Sequence, residues 1–158
     1  MDIGCFDNDQ VQIYLGRRGA RNRLGLSARA ASAQTQVGAV GADGYTRAMW
    51  RGTDGSISLW KLDPVLNYVG SHVYGPYGGW SPVSLAMLGN NSYVLWRYTD
   101  GTADIWLLDA NLNFIGSKTF GPASGWTPEG LGVDPYGNLR LVWHTPANQV
   151  TAWVSMQL

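Results

Sequence analysis

The sequence predicts an all-β fold made of four-stranded antiparallel units, because one pattern recurs along most of the chain. Trp50, Trp60 and Trp80 reappear as Trp96, Trp106 and Trp126, each 46 positions further along. An Asp-Gly pair, which favours the positive φ of a tight hairpin, follows Trp50 and again follows Trp96. No window has a sustained helical period. A fixed period of about 20–50 residues is typical of repeat proteins, so we expect residues present in every copy to serve the fold.

The repeat divides one predicted domain, 1–158, into four stretches. Residues 50–95 and 96–142 are full copies, 143–158 is a partial copy, and 4–49 is a degenerate first copy. In the second full copy we expect strands at 92–98, 103–108, 113–120 and about 129–133. The strand that carries the second tryptophan occurs four times, at Tyr14, Trp60, Trp106 and Trp153. The chain therefore holds about three units plus one extra strand.

One stretch, 16–34, departs from the repeat while both of its flanks stay in phase. All of its charged residues are arginines, namely Arg17, Arg18, Arg21, Arg23 and Arg29. It has no acidic and no aromatic residue. Two explanations remain open: true divergence at constant length, or an error such as a shifted reading frame. The nucleotide sequence distinguishes them, because a shifted frame would restore the missing pattern.

Four-stranded antiparallel units of this length are typical of β-propeller blades. Apolar residues on both faces of the predicted strands, such as Leu59 and Trp60, fit sheets that are covered on both sides. The unit length, the tryptophan placement and the Asp-Gly turns resemble lectin-like propellers of the tachylectin-2 and tectonin groups, from about residue 35 onward. That resemblance implies stacked blades with ligands bound between them. The Gly-His and Trp-Asp pairs of WD40 blades are missing.

Three units are too few to close a propeller, which generally needs at least four blades. Three alternatives follow: a fragment of a longer array, a ring closed by copies of the chain, or a β-trefoil, which closes on three repeats. The chain begins in mid-repeat, which favours a fragment. Unpaired strand edges favour a homo-oligomer. The chain has no Gln-x-Trp motif, and this absence disfavours the trefoil.

Composition excludes several classes of function. The chain has 11 basic and 11 acidic residues and zero net charge, so nothing favours nucleic acid as a partner. No apolar run reaches the roughly 20 residues that span a bilayer, so we expect no membrane insertion. The first residues do not form a signal peptide. We expect an extracellular or cell-surface location, with any targeting signal further upstream.

The sequence predicts no enzyme, no cofactor and no metal. His72 and His144 are the only histidines, and they align with Lys118 and Arg97, so solvent-facing polar positions explain them. Cys5 is the only cysteine, and the segment 7–9 lacks the later glycine and glutamate of a calcium loop. No nucleophile elbow or phosphate-binding loop occurs.

The acidic residues divide into repeated and unrepeated ones. Asp54 and Asp63 recur in register as Asp100 and Asp109 and each precedes a turn, so we assign all four to turns. Asp104 stands on a predicted strand where the preceding copy has serine, and Glu129 is the only glutamate. A role in a turn therefore explains these two acids least well among the carboxylates of the repeat. They do not form a convincing catalytic pair.

The aromatic residues predict a non-enzymatic binding module for a glycan. Six of the tryptophans are expected to pack between neighbouring blades: Trp50, Trp60, Trp96, Trp106, Trp143 and Trp153. A Gly-rich connection before Trp80 and before Trp126 instead presents a flat ring beside amides, as stacking on a sugar requires. The predicted glycan-contacting residues are Trp80, Trp126, Tyr77, Tyr74, Asn67 and Asn113. Repeated weak sites would give avidity. The alternatives are a protein-interaction scaffold and an accessory domain of a larger secreted enzyme.

Overall fold

The computed structural model describes residues 34–155, which form three antiparallel sheets. The first sheet contains β1 (Gln34–Val40), β2 (Thr46–Arg51), β3 (Ile57–Leu62) and β4 (Tyr68–Tyr74). The second contains β5 (Trp80–Leu88), β6 (Asn91–Tyr98), β7 (Ala103–Leu108) and β8 (Phe114–Phe120). The third contains β9 (Thr127–Val133), β10 (Leu139–His144) and β11 (Val150–Ser155). Cys5, the segment 7–9, the strand around Tyr14 and most of 16–34 lie outside the described residues.

The all-β prediction is confirmed, and each sheet is a meander in which every strand pairs with its neighbour in the chain. The division into sheets differs from the prediction. We expected the strand near 129–133 to close the unit that begins at 92, but β9 pairs with β10 and belongs to the third sheet. The strand before Asn91, β5, takes its place in the second sheet. The cause is loop length, because only Gly89 and Asn90 join β5 to β6, whereas residues 121–126 separate β8 from β9.

Aspartates close the turns as predicted. Asp54 accepts hydrogen bonds from the backbone N–H and the hydroxyl of Ser56, at 2.9 and 2.6 Å. In the β3–β4 loop, Asp63 accepts from the backbone N–H and the side-chain amide of Asn67, at 2.8 and 2.9 Å. Equivalent bonds occur at Asp100, Asp109 and Asp134 in the other sheets. The turn assignment of the repeated aspartates is therefore confirmed.

Two apolar cores hold the sheets face to face. The first lies between the first and second sheets, where Met49, Ile57 and Leu59 pack against Leu85, Val94, Trp96, Leu108 and Leu112. The second lies between the second and third sheets and includes Leu95, Ile105, Leu141 and Trp143. The second sheet is therefore covered on both faces, which explains why its strands are apolar on both sides.

The first strands of successive sheets also lie side by side, because β5 contacts both β1 and β9. No strand of one sheet pairs with a strand of another within residues 34–155, and no closed barrel forms there. The trefoil alternative, which requires a barrel shared by all three repeats, thus has no support in this part of the chain. The described residues contain no helix that could cross a membrane.

Candidate binding site

The connection from β4 to β5 forms one wall of a cleft between the first two sheets. It contains two glycines at positive φ, Gly75 at 85° and Gly79 at 81°, a conformation that side chains other than glycine rarely adopt. The backbone N–H of Trp80 donates to the carbonyl of Tyr77 at 3.0 Å, which closes a tight turn. This turn presents Tyr77 and Trp80 at the end of the sheets where the β2–β3 and β6–β7 hairpins also lie.

The outer part of the cleft is an open groove of about 720 Å³. Its walls are the β2–β3 turn with the end of β2, the connection to β5, and Thr99 of the second sheet. The end of β2 supplies a cation, Arg51, and the turn supplies an anion, Asp54. Hydrogen bonds from Ser56 lower the pKa of Asp54, so this carboxylate is ionised at neutral pH. The groove is therefore polar on one side and aromatic on the other.

A smaller pocket of about 180 Å³ lies next to the groove and shares Tyr77 and Trp80 with it. Trp96, Trp106 and Asp104 of the second sheet complete its lining. The Tyr77 ring centroid lies 5.5 Å from that of Trp96 and 5.3 Å from that of Trp106, and those two lie 5.1 Å apart. We call this the aromatic pocket.

Asp104 is the one ionisable acid of the aromatic pocket. Its Oδ2 accepts a hydrogen bond from Trp106 Nε1 at 2.8 Å, and its Oδ1 accepts one from the hydroxyl of Thr119 at 3.0 Å. None of the ion pairs among residues 34–155 includes Asp104. The neighbouring Trp96 has a buried Nε1–H without a hydrogen-bond partner in the protein. A ligand in this pocket would therefore meet aromatic rings and an unpaired carboxylate.

The tryptophans of the aromatic pocket recur in other copies, but two of its residues do not. Asp104 aligns with Ser58 in the first sheet and with Thr151 in the third, and Tyr77 aligns with Ala123. Ser58 keeps one role of Asp104, because its hydroxyl oxygen accepts from Trp60 Nε1 at 3.0 Å. It lacks the negative charge. The charge and the tyrosine therefore belong to this cleft and are not needed to build a sheet.

The structure brings together only some of the predicted glycan-contacting residues. Trp80 and Tyr77 line both cavities. Tyr74 lies beside them, with its ring 5.6 Å from Trp106 and its hydroxyl donating to the Leu112 carbonyl at 2.5 Å. Trp126 is half-buried and packs on the core between the second and third sheets.

The two predicted asparagines lie outside both cavities. Asn67 precedes β4, whereas the connection with Tyr77 follows it, so the length of a seven-residue strand, about 23 Å, separates the two ends. The side-chain amide of Asn67 donates to Asp63. Asn113 makes the same bond to Asp109 at 3.0 Å in the β7–β8 loop.

Asp104, Trp96 and Trp106 were not among the predicted glycan-contacting residues, because tryptophans present in each copy indicated packing. The signal that could have identified Asp104 is its break in the repeat. Among the described residues, no group of three or more His, Cys, Asp or Glu side chains is placed to hold a metal ion. Glu129 lies near two basic groups, 3.2 Å from His144 Nδ1 and 3.7 Å from Arg97, on the other side of the second sheet.

Comparison with known proteins assigns no family to the chain. No family model matches the sequence, and no curated protein matches it. The fold is similar to the crystal structure of a protein of unknown function from Bacteroides caccae, with a TM-score of 0.45 and 9% sequence identity. That match covers 77% of this chain, which spans 46% of the length of the other protein. A similarity at this level carries no argument about fold or function.

Proposed function

We propose that the three sheets are blades of a β-propeller and that the cleft between the first two is a binding site for a glycan. The blade arrangement is supported by the meander order, by the adjacent first strands and by the two cores between faces. The observation that carries the binding proposal is the cleft itself, in which Tyr77 and Trp80 face polar groups of the β2–β3 turn.

A pyranose ring has an apolar face of C–H groups and a rim of hydroxyl groups. Exposed aromatic rings match the first, and Arg51, Asp54 and Thr99 can bond to the second. Tyr77 is 39% exposed, so its ring is accessible to a ligand from the groove. The sequence predicts repeated equivalent sites, but Ala123 in place of Tyr77 removes this wall from the next cleft. We therefore propose one principal site, between the first and second sheets.

The test is glycan binding by the 158-residue protein and two variants, first on a glycan array and then by calorimetric titration. Tyr77→Ala introduces the residue that the next copy carries as Ala123, so the fold should tolerate it. We expect this variant and Trp80→Ala each to weaken binding about tenfold or more, as loss of an aromatic anchor does. Tyr136→Ala is the control, because Tyr136 is 89% exposed in the β9–β10 turn and should not affect binding. Full affinity in both cleft variants would place the site elsewhere.

A protein-interaction scaffold is the second candidate, and exposed apolar residues on the outer strands favour it. Val69 and Val73 of β4 and Phe114 and Ile115 of β8 are all between 48% and 68% exposed. Apolar residues on unpaired strand edges are typical of surfaces that pair with another chain. A folded protein that binds no glycan on the array would support this candidate over the first.

Ring closure by copies of the chain is part of the same proposal. Trp50 and Trp60 pack together, 5.6 Å apart, on the face of the first sheet that corresponds to the Trp96 and Trp106 face of the second. The second sheet uses that face to pack on the first. We expect light scattering to give a discrete dimer or trimer, because a ring needs more than three blades. A well-folded monomer would contradict closure between chains.

A further inference from the structure

The aromatic pocket has the lining of a site for a cation. Tyr77, Trp80, Trp96 and Trp106 present rings around a space of about 180 Å³. The faces of aromatic rings are negative, and they attract a cation within about 6 Å of the ring centre. Three of these rings pack directly on one another, with centroids 5.1 to 5.5 Å apart, so they form one continuous aromatic wall that a small group can contact.

Asp104 adds a negative charge that no basic group of the described residues neutralises. Two hydrogen bonds offset part of the cost of placing this half-buried carboxylate beside aromatic rings, but they leave it without a counter-ion. A cationic ligand would provide that counter-ion. The equivalent positions hold Ser58 and Thr151, which build the same strands without the charge. The negative charge has no counterpart at those positions, although Asp104 also serves the sheet by accepting a hydrogen bond from its cross-strand partner Thr119.

The hydrogen bonds of Asp104 indicate which kind of cation fits. Each of its oxygens already accepts one hydrogen bond, from Trp106 Nε1 or from Thr119, so only about two of its four lone-pair sites remain for a ligand. A primary ammonium has three N–H donors and is strongly hydrated, so it needs several acceptors when it leaves water. A quaternary ammonium has no N–H group and needs none. Its methyl groups can contact the rings while its charge lies near the carboxylate.

We infer that the aromatic pocket binds a quaternary ammonium group, and that this group is a substituent on the ligand of the adjoining groove. The inference rests on the proposed function in one respect, since it takes the same cleft as a ligand site. Tyr77 and Trp80 serve both cavities, so a sugar in the groove and a trimethylammonium group in the pocket can belong to one molecule. The pocket then selects cationic glycans over neutral ones.

The experiment compares three small probes with the 158-residue protein: choline, 3,3-dimethylbutan-1-ol and ethanolamine. The second is the neutral carbon isostere of choline, and the third carries a primary ammonium. Binding is measured by saturation-transfer NMR and by titration of tryptophan fluorescence. We expect choline to bind about tenfold more tightly than either of the others, in line with the strength of a desolvated cation–π contact. Equal affinities for choline and its neutral isostere would overturn the inference, and so would no binding of choline by the folded protein.

Asp104→Ser tests the role of the carboxylate, because serine at the equivalent position in the first sheet keeps the bond to tryptophan. We expect it to reduce choline affinity about tenfold and to leave affinity for the neutral isostere unchanged. Asp104→Thr, which copies the third sheet, replaces it if the serine variant does not fold. Unchanged choline affinity in a folded variant would remove the carboxylate from the site and contradict the inference.

The two proposals fail in different ways. If neutral glycans bind and choline has no advantage over its isostere, the cation pocket is wrong and the glycan site stands. If choline binds with the expected selectivity and no glycan does, the glycan site and the link to a glycan ligand are wrong, and the cation pocket alone stands. A glycan array that includes choline-substituted and unsubstituted forms of one sugar tests the combined ligand, and the substituted form should bind more tightly.

Discussion

Arg47 and Asp43 form a two-point ion pair at the start of the first sheet, with Nη1 2.8 Å from Oδ1 and Nη2 2.7 Å from Oδ2. The Arg47 side chain is fully buried. Its Nη2 also donates to the carbonyl of Ala110 in the second sheet, at 3.1 Å, and Lys61 donates to the same carbonyl at 2.8 Å. The buried cation therefore connects two sheets that otherwise contact each other mainly through apolar side chains.

Removal of the acidic partner should destabilise the protein strongly. Asp43→Ala leaves a buried guanidinium without its counter-ion, and we expect the free energy of unfolding to fall by about 3 kcal/mol. Arg47→Met removes the charge and keeps an apolar chain, so we expect a smaller loss. Urea unfolding at neutral pH measures both. A loss for Arg47→Met that exceeds the loss for Asp43→Ala would contradict this account.

The hydroxyl of Tyr74 should contribute to the contact between the first two sheets. It donates to the carbonyl of Leu112, a buried residue at a φ of 70°. Tyr74→Phe removes the donor and leaves that carbonyl unsatisfied, which we expect to cost about 1–2 kcal/mol of unfolding free energy. Tyr68→Phe is the matched control on the same strand, because its hydroxyl bonds to the exposed Ser71. Equal losses in the two variants would show that the contact between sheets adds nothing.

Gly79 and Gly125 occupy equivalent positions but differ in their surroundings. Both have positive φ, 81° and 78°. A Cβ at Gly79 would overlap the ring of Tyr98, whereas a Cβ at Gly125 meets no atom within 4 Å. Gly125→Ala should cost about 1–2 kcal/mol from backbone strain alone. We expect Gly79→Ala to cost more and to displace Tyr98 from Trp80, which thermal unfolding and near-ultraviolet circular dichroism can measure. Similar losses would mean that Tyr98 moves aside freely.

Stability should fall in acid because the turn aspartates are hydrogen-bonded as carboxylates. The Asn67 side chain lowers the pKa of Asp63 below its ordinary value of 3.8, and the Asn113 side chain does the same for Asp109. Because the pKa of each carboxyl group is lower in the folded state than in the unfolded state, the group stabilises the fold at pH values above its unfolded-state pKa. This stabilisation is lost as the pH falls through the folded-state pKa. We expect stability to be level down to about pH 4 and to decrease from there towards pH 2.

The double variant Asp63→Asn with Asp109→Asn carries no titrating group at these two loops. Its stability at neutral pH should be lower than that of the parent, and its further loss between pH 4 and pH 2 should be smaller. Urea unfolding at several pH values measures both quantities. The same loss in acid as the parent would mean that other groups cause the acid sensitivity.

The repeat predicted most strands to within one or two residues but not their grouping into sheets. A periodic pattern has no starting point, so it describes a unit that begins at 92 as well as one that begins at Trp80. The choice depends on which strands exchange hydrogen bonds. Here the short loop after Leu88 determines that β5 pairs with β6. The period of the repeat does not specify which strands pair.

Part of the candidate site could be predicted for a similar reason. Trp80 and Tyr77 lie in one turn, and their proximity follows from local sequence. Asp104 and Trp106 join them only because the first sheet packs on the second, which depends on the stacking of two faces. Asn113 begins the strand predicted at 113–120 and Trp126 follows it, so the order of strands along the chain already indicated that the asparagines lie at the opposite end from the tryptophan.

Each sheet is one uninterrupted stretch of chain, and each cleft takes its walls from two sheets. Gene duplication can therefore add a whole sheet without breaking a hairpin. Every added sheet also creates a new junction, that is, a new cleft between two neighbouring sheets, whose residues can differ from those of the existing clefts. The junction before β9 is of this kind, with Ala123 and Thr151 where the first junction has Tyr77 and Asp104. Two substitutions separate a plain junction from one that could recognise a ligand, so new specificity can evolve at one junction while the others continue to hold the fold.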